Sequence, residues 1–295
     1  MRKTRKILWA GAAATLASVL LLSAPHKAAA RDLDDIVSSK EIHLGYVNYP
    51  PLMMKDPKTG KLSGVYIDAL NAMFESIKIK PVWIEQTWGT FAAALQSDQI
   101  DVFVGAPFAT PQRALALSFT QPYAFMGNDV VVRKKDAETR FKDVKNIMDL
   151  DKPGITIASP LGGAPYDWLK SHFKHAKIVG VESTNQSQGS LEVLAGRADA
   201  AYWDAFVSAR DVETHPDQLA DLFGTDPLDT SPISWALKHH EPELLTFLNT
   251  LLEYMDTNGT WTKYEEPYKK DLGGYFHIKR TYYPAGGPAS QAIIK

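Results

Sequence analysis

Residues 41–106 decide the fold, because short apolar runs alternate there with longer amphipathic ones: EIHLGYV (41–47), YIDALNAMFESI (66–77), KPVWI (80–84), FAAALQS (91–97) and IDVFVGA (100–106). The first, third and fifth runs predict strands, and the second and fourth predict helices. Strands that alternate with helices require a parallel sheet with helical crossovers. This part of the chain therefore predicts an α/β lobe.

The same alternation restarts after a pause at PYAFMGNDVVVRKK (122–135) and predicts a second α/β lobe. A third section, from about Asp229, holds the strand-like stretch ISWALK (233–238) and a helix pattern over 242–264. One face of that helix carries Leu244, Leu248, Leu251 and Leu252. We expect the third section to complete the first lobe, with connecting strands near 126–130 and 223–229.

The N-terminus predicts export. Basic residues precede an uncharged apolar run over 7–22, and three alanines precede Arg31, so we expect a cleaved signal peptide and a periplasmic protein. The predicted segments are the signal peptide at 1–30, the first part of lobe 1 at 31–127, lobe 2 at 128–226, the return to lobe 1 at 227–273, and a C-terminal extension at 274–295.

Composition excludes several classes of protein. The chain has no cysteine, which excludes disulfides, thiol chemistry and a lipid anchor on cysteine. Residues 1–30 hold five Lys or Arg and no Asp or Glu, so their removal leaves 27 basic against 34 acidic residues, a net charge of −7. Such a surface repels nucleic acid.

Two charged residues follow strand-like runs, where open α/β sheets place their ligands. Arg113 follows IDVFVGAPFATPQ, and Asp204 ends RADAAYWD. A guanidinium matches a carboxylate bidentately, whereas an aspartate accepts hydrogen bonds from an ammonium group. Together they would bind both charges of an amino acid, although each alone is a weak signal, since a single Arg after a turn is more often a surface or helix-capping residue.

Three motifs follow one another: SGVYIDALNAM (63–73), LQSDQIDVFVGAPFATPQRALALSFTQPYAF (95–125) and AGRADAAYWDA (195–205). Through them nearly all of the mature chain resembles the periplasmic amino-acid-binding proteins, solute-binding family 3, which include histidine, lysine/arginine/ornithine and glutamine binders. The resemblance implies the type II periplasmic-binding-protein fold, with two mainly parallel α/β lobes joined by two hinge strands. It also implies a protein that delivers a small zwitterion to the permease of an ABC transporter.

Position by position, the resemblance implies that Arg113 binds the ligand's carboxylate and Asp204 its ammonium group. Tyr49 and Trp88 fall where family members place two side chains that sandwich the ligand's side chain, although core packing would also explain them. The resemblance implies further contacts at Gly105, at its neighbours Ala106 and Phe108, and at the backbone N–H of Gly163.

The chain also departs from the family pattern. Small hydroxyl residues are common in the family before the arginine and at the second-lobe helix start, where this chain has Gly105, Ala106, Phe108 and Gly163. Several hydrogen bonds from side chains to the ligand are therefore missing. With three aromatic rings around the ligand, we expect aromatic, aliphatic or basic side chains to bind better than acidic ones.

The main alternative is an exported enzyme on the same fold, such as a cyclohexadienyl dehydratase-like lyase, which would need a positioned general acid. The carboxylates at 68, 101 and 199 follow structural patterns, and the eight histidines show no metal-ligand spacing. We therefore predict no catalytic residues, no metal and no cofactor, and a monomer. A soluble binder that docks on a receptor is a further alternative.

Overall fold

The computed structural model describes residues 31–182, 184–224 and 228–270, together with the backbone of 276–277. The predicted signal peptide and, apart from 276–277, the predicted C-terminal extension lie outside these residues. The strands are β1 (Glu41–Tyr46), β2 (Met54–Lys55), β3 (Leu62–Ser63), β4 (Lys80–Glu85), β5 (Val102–Phe103), β6 (Leu117–Phe119), β7 (Ala124–Arg133), β8 (Thr156–Pro160), β9 (Lys177–Val181), β10 (Ala200–Asp204), β11 (Leu219–Asp221), β12 (Leu228–Ile233), β13 (Ala236–Lys238) and β14 (Phe276–His277). The helices are α1 (Leu33–Ser39), α2 (Val65–Ser76), α3 (Phe91–Gln96), α4 (Pro111–Ala114), α5 (Lys134–Ala137), α6 (Ala164–His172), α7 (Gln188–Leu194), α8 (Ala205–Thr214), α9 (Pro242–Thr257) and α10 (Thr260–Glu265). Short 3₁₀ helices cover Ile147–Leu150 and Glu266–Tyr268.

Two sheets define two lobes, which confirms the predicted fold class. The sheet of lobe 1 has the order β4-β1-β5-β13-β6, with β4, β1 and β5 parallel and β13 antiparallel to both neighbours. The sheet of lobe 2 has the order β11-β7-β10-β8-β9, with β10, β8 and β9 parallel. Because β13 lies between β5 and β6, the late strand-like stretch ISWALK completes the first sheet.

Alternation along the strands divides the core of lobe 2 between the two faces of its sheet. Val130 and Val132 pack with Tyr202 on one face, whereas Val131 packs with Ala201 on the other. Successive strand side chains point to opposite faces, so a strand of consecutive valines is typical of a sheet covered on both sides. In lobe 1, α9 buries the leucine face that the sequence predicts, Leu244, Leu248, Leu251 and Leu252.

The lobes are connected through two antiparallel strands. The ten residues of β7, where the sequence pattern pauses, pair with β12 from Ala124 opposite Ile233 to Asn128 opposite Leu228. The backbone of β14 adds to the same end of β7, with Phe276 opposite Phe125. Within the described residues, no helix is both long and apolar enough to cross a membrane.

The surroundings of Gly64 explain why the first motif has a glycine at this position. Its φ is +120°, and a Cβ there would lie 2.6 Å from the Leu52 carbonyl oxygen and 2.7 Å from that of Pro51. These two carbonyls accept hydrogen bonds from the first N–H groups of α2, those of Tyr66 and Val65. The loop before β2 thus caps α2 directly, and only glycine fits between them.

We expect Gly64→Ala to lower the free energy of unfolding by about 1–3 kcal/mol more than Gly60→Ala, because overpacking against backbone adds to the strain of a positive φ. Gly60 is the matched control, since its φ is +71° and a Cβ there meets nothing within 4 Å. Urea unfolding of both variants measures the difference. Equal losses of stability would show that the carbonyl contacts do not matter.

Candidate functional site

The candidate site is a cleft between the lobes, with about 270 Å³ of empty space including the part open to solvent. It is lined from lobe 1 by Tyr49, Trp88, Ala106, Phe108 and Arg113, from β7 by Met126, and from lobe 2 by Ala164, Pro165, Trp203 and Asp204. Six of the eight predicted positions therefore line one cleft. The other two, Gly105 and Gly163, are chain neighbours of lining residues.

Arg113 lies in the short helix α4, which Thr110 caps by accepting a hydrogen bond from the Arg113 backbone N–H at 3.3 Å. Its guanidinium donates to the Phe108 carbonyl at 3.2 Å and, across the cleft, to the Gly162 carbonyl at 2.7 Å. Burial lowers the pKa of Arg113 to about 10, against the opposing effect of Asp167. The side chain is therefore a cation at neutral pH, held in the cleft by neutral acceptors.

Asp204 ends β10 and caps α8, where its Oδ1 accepts a hydrogen bond from the Val207 N–H at 2.8 Å. The residue is 2 % exposed. Desolvation raises the pKa of Asp204 to about 7, although the hydrogen bond from Val207 and the nearby Tyr49 hydroxyl lower it. A buried carboxyl in this range changes charge near neutral pH, and a neighbouring cation would favour its ionised form.

Tyr49 and Trp88 contact lobe 2 directly. The Tyr49 ring lies edge-on to Phe206, with centroids 6.0 Å apart, and its hydroxyl donates to Met126 Sδ at 3.5 Å. Trp88 lies edge-on to Trp203, with centroids 5.5 Å apart. The two predicted sandwich residues are thus both in the cleft, and each is placed by contacts to another ring.

Close packing against aromatic rings explains why Gly105 and Gly163 have no side chain. A Cβ on Gly105 would lie 2.4 Å from the Phe103 ring, and one on Gly163 would lie 2.6 Å from the Trp203 ring. The Gly163 N–H, which the resemblance assigns to the ligand's carboxylate, donates to the Pro160 carbonyl at 2.9 Å. In this structure the turn before α6 therefore uses that donor itself.

Sequence reasoning missed two residues of lobe 2. Gln186 accepts a hydrogen bond from Trp88 Nε1 at 2.9 Å and donates to the Asn48 carbonyl at 3.1 Å. It lies in an irregular loop before α7, where no periodicity marks it. Trp203 precedes Asp204 within β10, so strand alternation places it on the opposite face, yet the strand ends here and its ring lines the cleft.

Asp68, Asp101 and Asp199, the three carboxylates predicted to have structural roles, each accept a hydrogen bond from another part of the chain. Asp68 accepts from the Tyr268 hydroxyl at 3.0 Å, Asp101 from the backbone N–H of His43 at 2.7 Å, and Asp199 from that of Thr156 at 2.8 Å. Among the described residues, no group of three or more His, Asp or Glu is arranged to hold a metal ion. The titratable groups of the cleft are accordingly Arg113, Asp204 and Tyr49.

Comparisons with known proteins agree with this architecture. The family model of bacterial extracellular solute-binding proteins, family 3, matches residues 42–271. A probable amino-acid ABC transporter-binding protein of Haemophilus influenzae is 27 % identical over 72 % of this chain and 77 % of its own length. The cyclohexadienyl dehydratase of Pseudomonas aeruginosa is 25 % identical over 75 % of this chain and 80 % of its own.

A solved structure shows the same fold. It is that of an ancestral amino acid-binding protein, a precursor of cyclohexadienyl dehydratase, and it is 28 % identical with a TM-score of 0.68. The similarity covers 79 % of this chain and 97 % of that one. The family match covers strands of both sheets and every residue that lines the cleft, so this chain belongs to the bacterial extracellular solute-binding proteins of family 3.

Proposed function

We propose that this protein binds an amino acid or a related small zwitterion between its lobes in the periplasm and delivers it to the permease of an ABC transporter. One observation carries the proposal: a cation from lobe 1, Arg113, and a buried carboxyl from lobe 2, Asp204, line the same cleft. Family membership and the amino-acid-binding relatives support it.

Arg113 and Asp204 each bind one charged group of the ligand. The Arg113 guanidinium exchanges neutral carbonyl partners for the ligand's carboxylate, which is a stronger, charge-assisted acceptor. Asp204 keeps one oxygen on the cap of α8 and offers its remaining acceptor capacity to the ammonium group. Because the groups come from different lobes, a zwitterion stabilises the closed arrangement and a ligand with one charge does so less.

Closing the cleft brings further groups of the two lobes together. Gln186 bonds both Trp88 and the Asn48 carbonyl, and Arg210 of α8 donates to the Pro50 carbonyl. The Tyr49 ring of lobe 1 packs edge-on against Phe206 of lobe 2. These contacts do not involve the ligand's charges, so they contribute to closure for any ligand that fits.

A lyase is the second candidate, since one relative is a cyclohexadienyl dehydratase and the pKa of Asp204 near 7 suits a general acid. Its test is incubation with a cyclohexadienyl carboxylic acid while aromatic absorbance is followed. A rise that depends on Asp204 would favour the enzyme. We prefer the binder because Arg113 and Asp204 line one cleft from different lobes, which suits the two opposite charges of an amino acid.

We expect Arg113→Met and Asp204→Asn each to weaken binding of an amino acid by roughly tenfold to more than a hundredfold, the worth of one charge-assisted hydrogen bond. Asparagine still caps α8, so Asp204→Asn separates ligand binding from helix capping, whereas Asp204→Ala loses both. Calorimetric titration measures affinity, and thermal unfolding is the control. If Asp204→Asn binds like the parent while Arg113→Met does not, the ligand is a simple carboxylate.

Affinity should fall as the pH drops below about 7, by up to about tenfold per pH unit, because the ligand's ammonium needs the ionised carboxylate and the unliganded protein protonates Asp204 there. Binding below pH 7 should release a proton, which titrations in buffers of different ionisation enthalpy detect. Asp204→Asn should bind weakly at every pH and without this dependence. An unchanged affinity of the parent between pH 5 and 8 would contradict an ammonium contact at Asp204.

Gln186→Met should raise the dissociation rate about tenfold, since it removes two hydrogen bonds across the cleft and retains the volume of the side chain. The matched control is Gln188→Met, two residues on, whose side chain donates within α7, to Glu192, and to no other group that the structure describes. Stopped-flow displacement gives the rates, and small-angle scattering should show a larger radius of gyration for unliganded Gln186→Met. Equal rates for the two variants would mean that Gln186 does not hold the lobes together.

A further inference from the structure

Phe91, the first residue of α3, contacts Arg113 without lining the cleft itself. The residue is 2 % exposed, and the Cζ atom of Arg113 lies over its ring, 5.3 Å from the ring centroid. A guanidinium within about 6 Å of a ring centroid is attracted to the negative face of the ring. The attraction is stronger when the pair is desolvated, as it is here, because less water competes for the charge.

An aromatic face fixes the guanidinium without using its hydrogen-bond donors. All five N–H donors of a guanidinium lie in its plane, and a carboxylate binds them from the edge. The hydrogen bonds of the Arg113 side chain within the described chain go to two neutral acceptors, the carbonyls of Phe108 and Gly162. A carboxylate in place of the Phe91 ring would occupy the donors that a ligand needs, whereas the ring leaves them available.

A second ring holds Phe91 in place. Phe103 of β5 is fully buried and stacks on Phe91, with centroids 4.3 Å apart and an angle of 18° between the ring planes. Trp88, which lines the cleft, lies edge-on to both rings, with its centroid 6.4 Å from that of Phe91 and 5.9 Å from that of Phe103. Gly105 leaves room for the stack, since a Cβ there would lie 2.4 Å from the Phe103 ring. The two stacked rings therefore support both Arg113 and Trp88 from within lobe 1.

We infer that Phe91 is a positioning residue for ligand binding, whose ring fixes the Arg113 guanidinium by a cation–π contact and leaves its N–H donors for the ligand's carboxylate. The consequence for binding rests on the proposed amino-acid-binding function, whereas the contact itself does not. Every amino acid presents the same carboxylate, so loss of the contact should weaken all of them by the same factor. A residue that only shaped the cleft would change their ranking instead.

The test replaces Phe91 by phenylalanines that carry one, two or three ring fluorines, introduced by stop-codon suppression. Fluorine withdraws negative charge from the ring face and adds little volume, so the cation–π contact weakens stepwise while the packing is retained. In protein without added ligand, the trifluoro ring should raise the unfolding equilibrium constant about three- to tenfold more in the parent than in Arg113→Met. The comparison with Arg113→Met subtracts any effect of fluorine on the stack with Phe103. The matched control is the same replacement at Phe74, a buried ring of α2 that packs against Phe247, where the effect should not depend on Arg113.

Binding is measured by calorimetry with the twenty standard L-amino acids, and it needs no Arg113 variant. Each amino acid that binds the parent should bind more weakly as fluorines are added at Phe91, by a common factor of about three- to tenfold for the trifluoro ring. Equal changes of stability with and without Arg113, or affinities that do not follow the number of fluorines, would overturn the inference and leave amino-acid binding intact. Failure of every amino acid to bind the parent would overturn the proposed function, and the unfolding measurements would then decide the contact between Phe91 and Arg113 by themselves.

Discussion

The cleft depends on the antiparallel pairing of β7 with β12, because these strands connect the two sheets and fix which groups face one another. Asp129 reinforces this connection from within β7. Its carboxylate accepts hydrogen bonds from the backbone N–H of Val130 on its own strand, and of Phe223 and Gly224 on the returning chain. Burial raises the pKa of Asp129 to about 7, and the hydrogen bonds lower it. The ionised group thus joins the outgoing chain to the returning one where the lobes meet.

Apolar packing continues from lobe 1 across the cleft. The core of lobe 1 includes Trp203, Phe206 and Val207 of lobe 2, which reach it through Trp88 and Tyr49. Burying these rings against one another stabilises the contact between the lobes. Under the proposed function, selectivity also depends on the few polar atoms among the rings, because a ligand that leaves one of them unpaired loses affinity.

The sequence predicts the fold well because apolar periodicity is a local property. The α/β alternation, the leucine face of α9 and the placement of ISWALK in the first sheet all follow from it. The resemblance carried by the motifs also predicts that Arg113 and Asp204 line one cleft, as they do in the structure. They do not reveal Gln186, whose role depends on Asn48 and Trp88, more than 90 residues away in the chain. Nor do they reveal that the Gly163 N–H donates a hydrogen bond to the Pro160 carbonyl, which follows from the geometry of the turn.

Asp204 shows how fold and binding share one group. As the cap of α8, a carboxyl contributes to stability through one oxygen, and asparagine would serve nearly as well. Its raised pKa means that the folded protein binds its proton more tightly than the unfolded chain does, so its contribution to stability is largest at low pH and is lost as the pH rises from about 4 to about 7. A residue chosen for stability alone would not carry this cost at neutral pH. Under the proposed function, the ammonium group of a ligand in the cleft favours the ionised carboxylate and offsets the cost of ionising it.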